Sequence, residues 1–153
     1  MQIISGDITQ VATKPTDLIV HQVNCQSAMG AGVAYALYSK YPAVKSAYLA
    51  YSATKTPETL LGDLQFVMTG ANTPIVVNSF TQLHYGNAMI DHVVYTDEAK
   101  LITNLLYVDD MAKRNGLTVY VPARIGSALA GGNWQHILDA IQNTNITVVD
   151  FEL

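Results

Sequence analysis

VNCQSAMGAGVAYALYSKYP, residues Val23–Pro42, runs from an apolar strand end through a polar stretch to two glycines around one alanine, where a helix of small residues begins. Glycine permits left-handed backbone and lets the main chain approach a neighbour closely. The first N–H groups of a helix lack intrahelical partners and favour anions. A junction of this kind either cradles a phosphate group or makes a tight strand-to-helix turn. GAGVAY lacks the third glycine of the GxGxxG pattern, and no lysine follows as in a phosphate-binding GxxxxGK loop. The stretch alone leaves both readings open.

Either reading needs a strand before the loop and a helix after it. Apolar runs bounded by Gly, Pro, Asn or Thr predict strands at Gln2–Ser5, Asp17–Val23, Asp63–Met68, Ile75–Phe80, Leu117–Val121 and Ile146–Phe151. The unbroken LIV, IVV and TVYV runs suit central strands covered on both faces. Helices are predicted at Gly32–Lys40, Pro42–Ala53, Thr96–Asn115 and Asn133–Gln142, with Pro42 in a first turn. In the longest, Thr96 is the predicted cap, Asp97 and Glu98 fill the first turn, Lys113 and Arg114 the last, and Gly116 ends it. Alternation of this kind predicts the α/β class, a three-layer α/β/α sandwich around a central mixed sheet. No repeat, low-complexity tract or linker divides the chain, so residues 1–153 are expected to form a single domain. Ligands of such sheets sit where loops leave the carboxyl ends of strands.

Composition narrows the function. Half of the 153 residues are apolar, enough for a substantial core. A net charge of −4 with 8 Lys plus Arg offers no basic stripe for a nucleic-acid backbone. The chain has no run of ~18 apolar residues, and MQIISGDITQ has no signal-peptide pattern, so no membrane partner and a cytoplasmic location are expected. The single cysteine, Cys25, cannot form an internal disulfide, in keeping with a reducing compartment. His21, His84, His92 and His136 lack ligand spacing, so neither a metal nor a cofactor is expected. Nothing in these features sets the oligomeric state.

A second glycine-rich loop, VPARIGSALAGGNW (Val121–Trp134), follows an apolar strand and precedes a helix. Two such loops at one sheet edge would clasp a diphosphate from both sides. The alternative is a connection whose small residues serve packing. GDIT (Gly6–Thr9) after the first strand, Asn24 six residues before GAGVA (Gly30–Ala34), and RIGSALAGGNW (Arg124–Trp134) before the last helix together resemble the macrodomain family, which binds ADP-ribose. The resemblance spans Gln2–Phe151. More narrowly, it points to the branch containing ADP-ribose 1''-phosphate phosphatase and the terminal ADP-ribose protein glycohydrolase. HQVNC, GVAYALYSKYP and LLGD are similar to the phosphatase side of that branch.

The resemblance implies a ligand and a site. The ligand would be an ADP-ribose derivative, free or carried on a macromolecule. Asp7 would accept a hydrogen bond from the adenine amino group, with the backbone of Ile8 beside it, and Asn24 would face the distal ribose. Gly30, Ala31, Gly32 and Val33 would wrap the diphosphate and distal ribose from one side, and Gly126, Ser127, Ala128, Leu129, Ala130 and Gly131 from the other. Read from the residues alone, Asp7 also fits a turn that bonds nearby amides, and Asn24 fits a loop brace. The implied activity is hydrolysis of ADP-ribose 1''-phosphate to ADP-ribose and phosphate. Removal of ADP-ribose from protein or nucleic acid, and non-catalytic reading, are the alternatives.

Two departures bear on mechanism. The glycohydrolases use a lysine after the central strand and an aspartate in the second loop, where this chain has NSFTQ (Asn78–Gln82) and Ala130, so a lysine adduct is not expected. Ala31 and Ala128 stand where many relatives have glycine. The candidates left for chemistry are Asn24, whose loop would position a water, and His84, since histidine is the side-chain type best suited to serve as an acid at neutral pH. A loop histidine is as readily a solvated group. His21 lies inside a strand and reads as core, and Cys25 as a small packing residue beside a loop. Tyr35, Tyr38, Tyr41, Tyr48 and Tyr51 recur at helical intervals and read as a packing face, with one available to stack on adenine.

Overall fold

In the computed structural model, which describes residues 1–152, Leu18, Ile19 and Val20 are all buried, as are Val76 and Val77. Consecutive buried residues mean that both faces of their strands are covered. These strands, β2 (Asp17–Asn24) and β4 (Ile75–Gln82), join β1 (Gln2–Ser5), β3 (Leu64–Met68), β5 (Thr118–Pro122) and β6 (Thr147–Asp150) in a sheet of order β1-β6-β5-β2-β4-β3. Every neighbouring pair is parallel except β3 with β4. The β3–β4 turn, closed by the Thr69 hydroxyl bonding Thr73 Oγ1 and Pro74 O, lies at the amino ends of the parallel strands.

Parallel neighbours require crossovers, and helices supply them. On one face α1 (Ile8–Val11), α2 (Gly32–Lys40) and α3 (Ala43–Ser52) enclose Ile19, Val23, Val76 and Phe80. On the other, α6 (Glu98–Asn115) and α7 (Trp134–Ala140) cover Leu18, Val20, Val77 and Val119. Two single-turn helices, α4 (Pro57–Leu60) and α5 (Ala88–Asp91), sit in the connections. This is the three-layer sandwich with a mixed sheet that the sequence predicts. Tyr41 and Tyr48 are buried under α2 and α3, and Tyr48 and Tyr51 pack on Phe80 with ring centroids 5.6 Å away in each case.

Local details differ from expectation for physical reasons. Asp97, not Thr96, caps α6: its carboxylate accepts from Lys100 N, while Thr96 bridges back to Gln82. Pro42 stands at the N-cap of α3 rather than inside it. β6 ends at Asp150, so Phe151 lies beyond the sheet in a turn. No helix among the described residues is long and apolar enough to cross a membrane, and no group of three metal-ligating side chains gathers among them.

One polar row crosses the apolar interior. His21, Asn78 and Gln65 are register partners on β2, β4 and β3. Gln65 Nε2 donates to Ala47 O of α3 at 2.8 Å, which leaves Gln65 Oε1 to accept from Asn78 Nδ2 at 3.0 Å. Asn78 Oδ1 must then accept from His21 Nε2, 2.6 Å away. The carbonyl at one end thus sets the tautomer at the other. Full burial holds the His21 imidazole down at about 4, against a partial opposing effect from Asn78. Below the ordinary pKa of 6.5 the unfolded chain takes up a proton that the native chain refuses until about pH 4. Stability is therefore lost as pH falls through that window, by about 3 kcal/mol at its foot. Urea denaturation of the wild type and of His21→Gln between pH 7 and pH 4 checks this: the variant is expected to show the shallower pH dependence, and equal slopes would refute the assignment.

Candidate functional site

The parallel strands deliver their carboxyl ends to one edge, and a cavity of about 1400 Å³ opens there. That exceeds the ~300–1,000 Å³ common for small-molecule sites. Along the edge the walls come from Gly6–Thr9 after β1, Phe151 and Glu152 after β6, residues 123–126 and 128–130 after β5, residues 27–34 after β2, and Gln82 at the end of β4 with Tyr85–Asn87 beyond it. The connections from the adjacent strands β2 and β5 pass to opposite faces of the sheet, through α2 and through α7. Their loops part at that point, where open α/β sheets keep their ligands.

The first loop is braced from within. Asn24 Oδ1 accepts from Gln26 N at 3.0 Å and from the Tyr48 hydroxyl at 2.9 Å, and Asn24 Nδ2 donates to Ala28 O at 2.6 Å. Tyr48 also accepts from Ala28 N at 3.1 Å and lies close to Asn24 O. Burial pushes its phenol up to about 12, so it keeps its proton throughout the neutral range. Cys25 N donates to Gln82 O and ties the loop to β4. Beyond this brace Ala31 caps α2 with no side-chain bond, and among the described residues the N–H groups of Gly32, Val33 and Ala34 have no protein acceptor. A Cβ on Gly30 would meet open space, so no packing demand explains that glycine.

The second loop is pinned by its ends. Gly132 N donates to Gly126 O, and the Thr96 hydroxyl reaches the same carbonyl. Gly126 holds φ +73° in a niche where a Cβ would stand 2.9 Å from Leu101 Cδ2 and 3.1 Å from Gln22 Oε1. Gln22 in turn bonds Thr96 and Thr81, and Thr81 and Asn104 meet at Ser79, so a polar chain links the loop to the middle of α6. Ala88 N and Tyr95 N donate to Leu129 O and Ala130 O and hold the loop from the far side. Among the described residues the N–H groups of Ala128, Leu129 and Ala130 have no protein acceptor.

Most of the expected site residues meet in this cavity: Asp7, Ile8, Asn24, Gly30, Ala31, Gly32, Val33, Gly126, Ala128, Leu129 and Ala130 all line it. Three do not. Ser127 and Gly131 close turns through their amides, Ser127 N to Arg124 O and Gly131 N to Ala128 O, and leave the wall to the residues between them. His84 is exposed outside the cavity, because Leu83 packs on the core just before it and turns its neighbour to solvent. Asp7 caps α1, with Oδ1 accepting from Thr9 N at 2.9 Å and Thr9 Oγ1 at 2.7 Å, while still facing the cavity. Burial, with Asp63 and Glu58 adding to it, pushes the Cys25 thiol up to about 11, which makes it a packing group. Sequence reasoning missed Phe151, 74% exposed beside the β1 end, and Tyr85, 61% exposed at the β4 end. Only the strand pairing, Ser5 with Asp150, brings Phe151 to the same part of the cavity wall as the loop that carries Asp7.

No protein-family model and no curated protein matches the chain. Solved structures do. A protein of unknown function from Bacteroides thetaiotaomicron is 26% identical, with 97% of this chain covering 96% of that one and a TM-score of 0.82. The macrodomain of Mycobacterium tuberculosis DarG is 23% identical over 97% of this chain and 95% of its own, with a TM-score of 0.72. Thermosipho africanus DarTG in complex with ADP-ribose is 15% identical over 97% of this chain and 41% of that chain, with a TM-score of 0.70.

Removing the phenol that braces the first loop tests the geometry directly. Tyr48→Phe is expected to cost about 1–3 kcal/mol in urea denaturation, since Ala28 N–H and Asn24 lose a buried partner. The amides of residues 26–28 are expected to exchange faster with solvent. Unchanged exchange there would contradict the brace.

Proposed function

This chain has the macrodomain fold, and from that premise we propose that it binds ADP-ribose or a derivative modified at the distal ribose. One observation carries the reading: unpartnered amides of Gly32–Ala34 and of Ala128–Ala130 border one cavity from two loops at the ends of adjacent parallel strands. Amides without acceptors suit an anion that has no fixed counter-cation. The diphosphate lies between the loops, adenine lies toward Asp7 and the Phe151 ring, and the distal ribose lies toward Asn24 and Tyr85. Ala31 and Ala128 are small enough to leave the backbone contacts open.

Within that reading the activity proposed is hydrolysis of ADP-ribose 1''-phosphate. A water attacks the terminal phosphorus, the bond from phosphorus to the ribose oxygen breaks, and that oxygen takes a proton, leaving ADP-ribose and inorganic phosphate. Loop amides stabilise the charge on the equatorial oxygens, and the loop that Asn24 braces positions the water. A second reading, binding without turnover, is favoured by the side chains present. His21 is neutral and buried, the Cys25 thiol is raised, and His84 is off the wall, so none of these three takes the acid's place.

Calorimetric titration with ADP-ribose, followed by phosphate release from ADP-ribose 1''-phosphate, tests both. Binding below millimolar, stronger than about 4 kcal/mol, is expected, with release of phosphate that Asn24→Ala reduces. Binding without release would leave the second reading, and no binding at millimolar ligand would overturn the ligand assignment.

A further inference from the structure

Arg124 opens the second loop and is one of the few non-glycine residues among those described that hold positive φ, at +62°. That backbone costs an arginine free energy, and something must hold it. The side chain identifies what. Nη2 and Nη1 form a fork on Asp150, at 2.9 Å to Oδ1 and 3.1 Å to Oδ2, and Nη2 lies 3.4 Å from Glu152 Oε2. Glu152 N donates to Asp150 Oδ1 at 2.9 Å, and Ala123 N donates to Val149 O. A single guanidinium therefore gathers the residues on either side of Phe151. That ring is mostly exposed and lines the cavity, as does Arg124 itself. The Glu152 contact is exposed and adds little to stability, and the Asp150 fork ties the last residues of the sheet edge to the second loop rather than to the core.

We infer that Arg124 is a positioning residue: by clamping Asp150 and Glu152 it fixes the Phe151 platform in register with the loop whose amides meet the diphosphate. The inference rests on the ADP-ribose reading. It follows from where the clamp stands. Phe151 sits past the last pair of the β1–β6 ladder, where no main-chain partner among the described residues orients it, whereas residues 126–130 follow Arg124 directly in the second loop. With both ends tied to one planar fork, the aromatic face and the phosphate cradle keep a constant separation. A ligand with a rigid base and a diphosphate then meets a site already spaced for it. Lysine cannot replace the fork, because an ammonium is a point charge without bidentate geometry.

The test uses the full chain with ADP-ribose titration, thermal melting and amide exchange on Arg124→Gly, Arg124→Lys, Asp150→Asn and the Arg124→Gly/Asp150→Asn double variant. Glycine adopts the left-handed backbone freely, so Arg124→Gly keeps the loop path and removes only the clamp. Each single variant is expected to lose about tenfold in affinity with melting unchanged, lysine failing to rescue, and the double variant losing no more than either single. The hydrogen-bonded amides of Glu152, Ser127, Gly131 and Gly132 are expected to exchange faster together in Arg124→Gly and in Asp150→Asn. Wild-type affinity in Arg124→Gly would overturn the clamp and leave the ADP-ribose reading intact. So would weakened binding in Arg124→Gly with none in Asp150→Asn, since Arg124 would then be touching the ligand itself. Failure of the wild type to bind ADP-ribose would overturn the function alone, and the exchange data then decide the clamp: unchanged protection at residue 152 refutes it.

Discussion

The pairing of β2 with β5 is the constraint on which the rest depends. Asp17, Leu18 and Ile19 lie in parallel register with Thr118, Val119 and Tyr120, so both strands end on the same side of the sheet. A parallel pair cannot close by a hairpin, and each strand must exit into a crossover. One exit leads to α2 on one face and the other to α7 on the opposite face. The two glycine-bearing loops are thereby forced apart at their helices and together at their strands. Had either strand run the other way, the same loop sequences would lie at opposite ends of the molecule.

Around that crossing, the interior is polar only where position must be kept. On one face the row His21, Asn78, Gln65 ends on a backbone carbonyl of α3 and has a single consistent direction of donation. On the other, Gln22, Thr96 and Thr81 lead from the Gly126 carbonyl to Ser79 and Asn104. Satisfied networks of this kind rigidify a core, and an unsatisfied member costs more than the network contributes. Both rows end near the cavity, beneath the loops rather than in them. The amides of Gly32–Ala34 and Ala128–Ala130 are left without acceptors among the described residues, while each loop is otherwise held by internal bonds and from below.

Much of this was legible in the residues. Apolar runs such as Leu18–Val20 announce covered strands, and the glycine stretches announce close backbone approach, because both signals are local. The rest depends on which segments meet. Phe151 reads as the end of a strand until the β1–β6 register brings it to the cavity wall that the Asp7 loop also forms. Arg124 reads as one residue of a loop until Asp150, 26 positions away, closes on it. His84 shows the converse: a polar residue near a strand end reaches a site only if its neighbours leave it facing inward, and Leu83, packed on the core, leaves it exposed. Ser127 and Gly131 carry the right residue types for a ligand loop, but their amides are used in turns.

β3 has a different standing from the other strands. It runs against them, so its connection to β4, held by Thr69 and Thr73, projects from the pole opposite the cavity. A dye, tether or affinity handle introduced between Gly70 and Thr73 would therefore sit a full strand length away from any bound ligand. The molecule can be immobilised on a surface through that turn with its mouth facing outward.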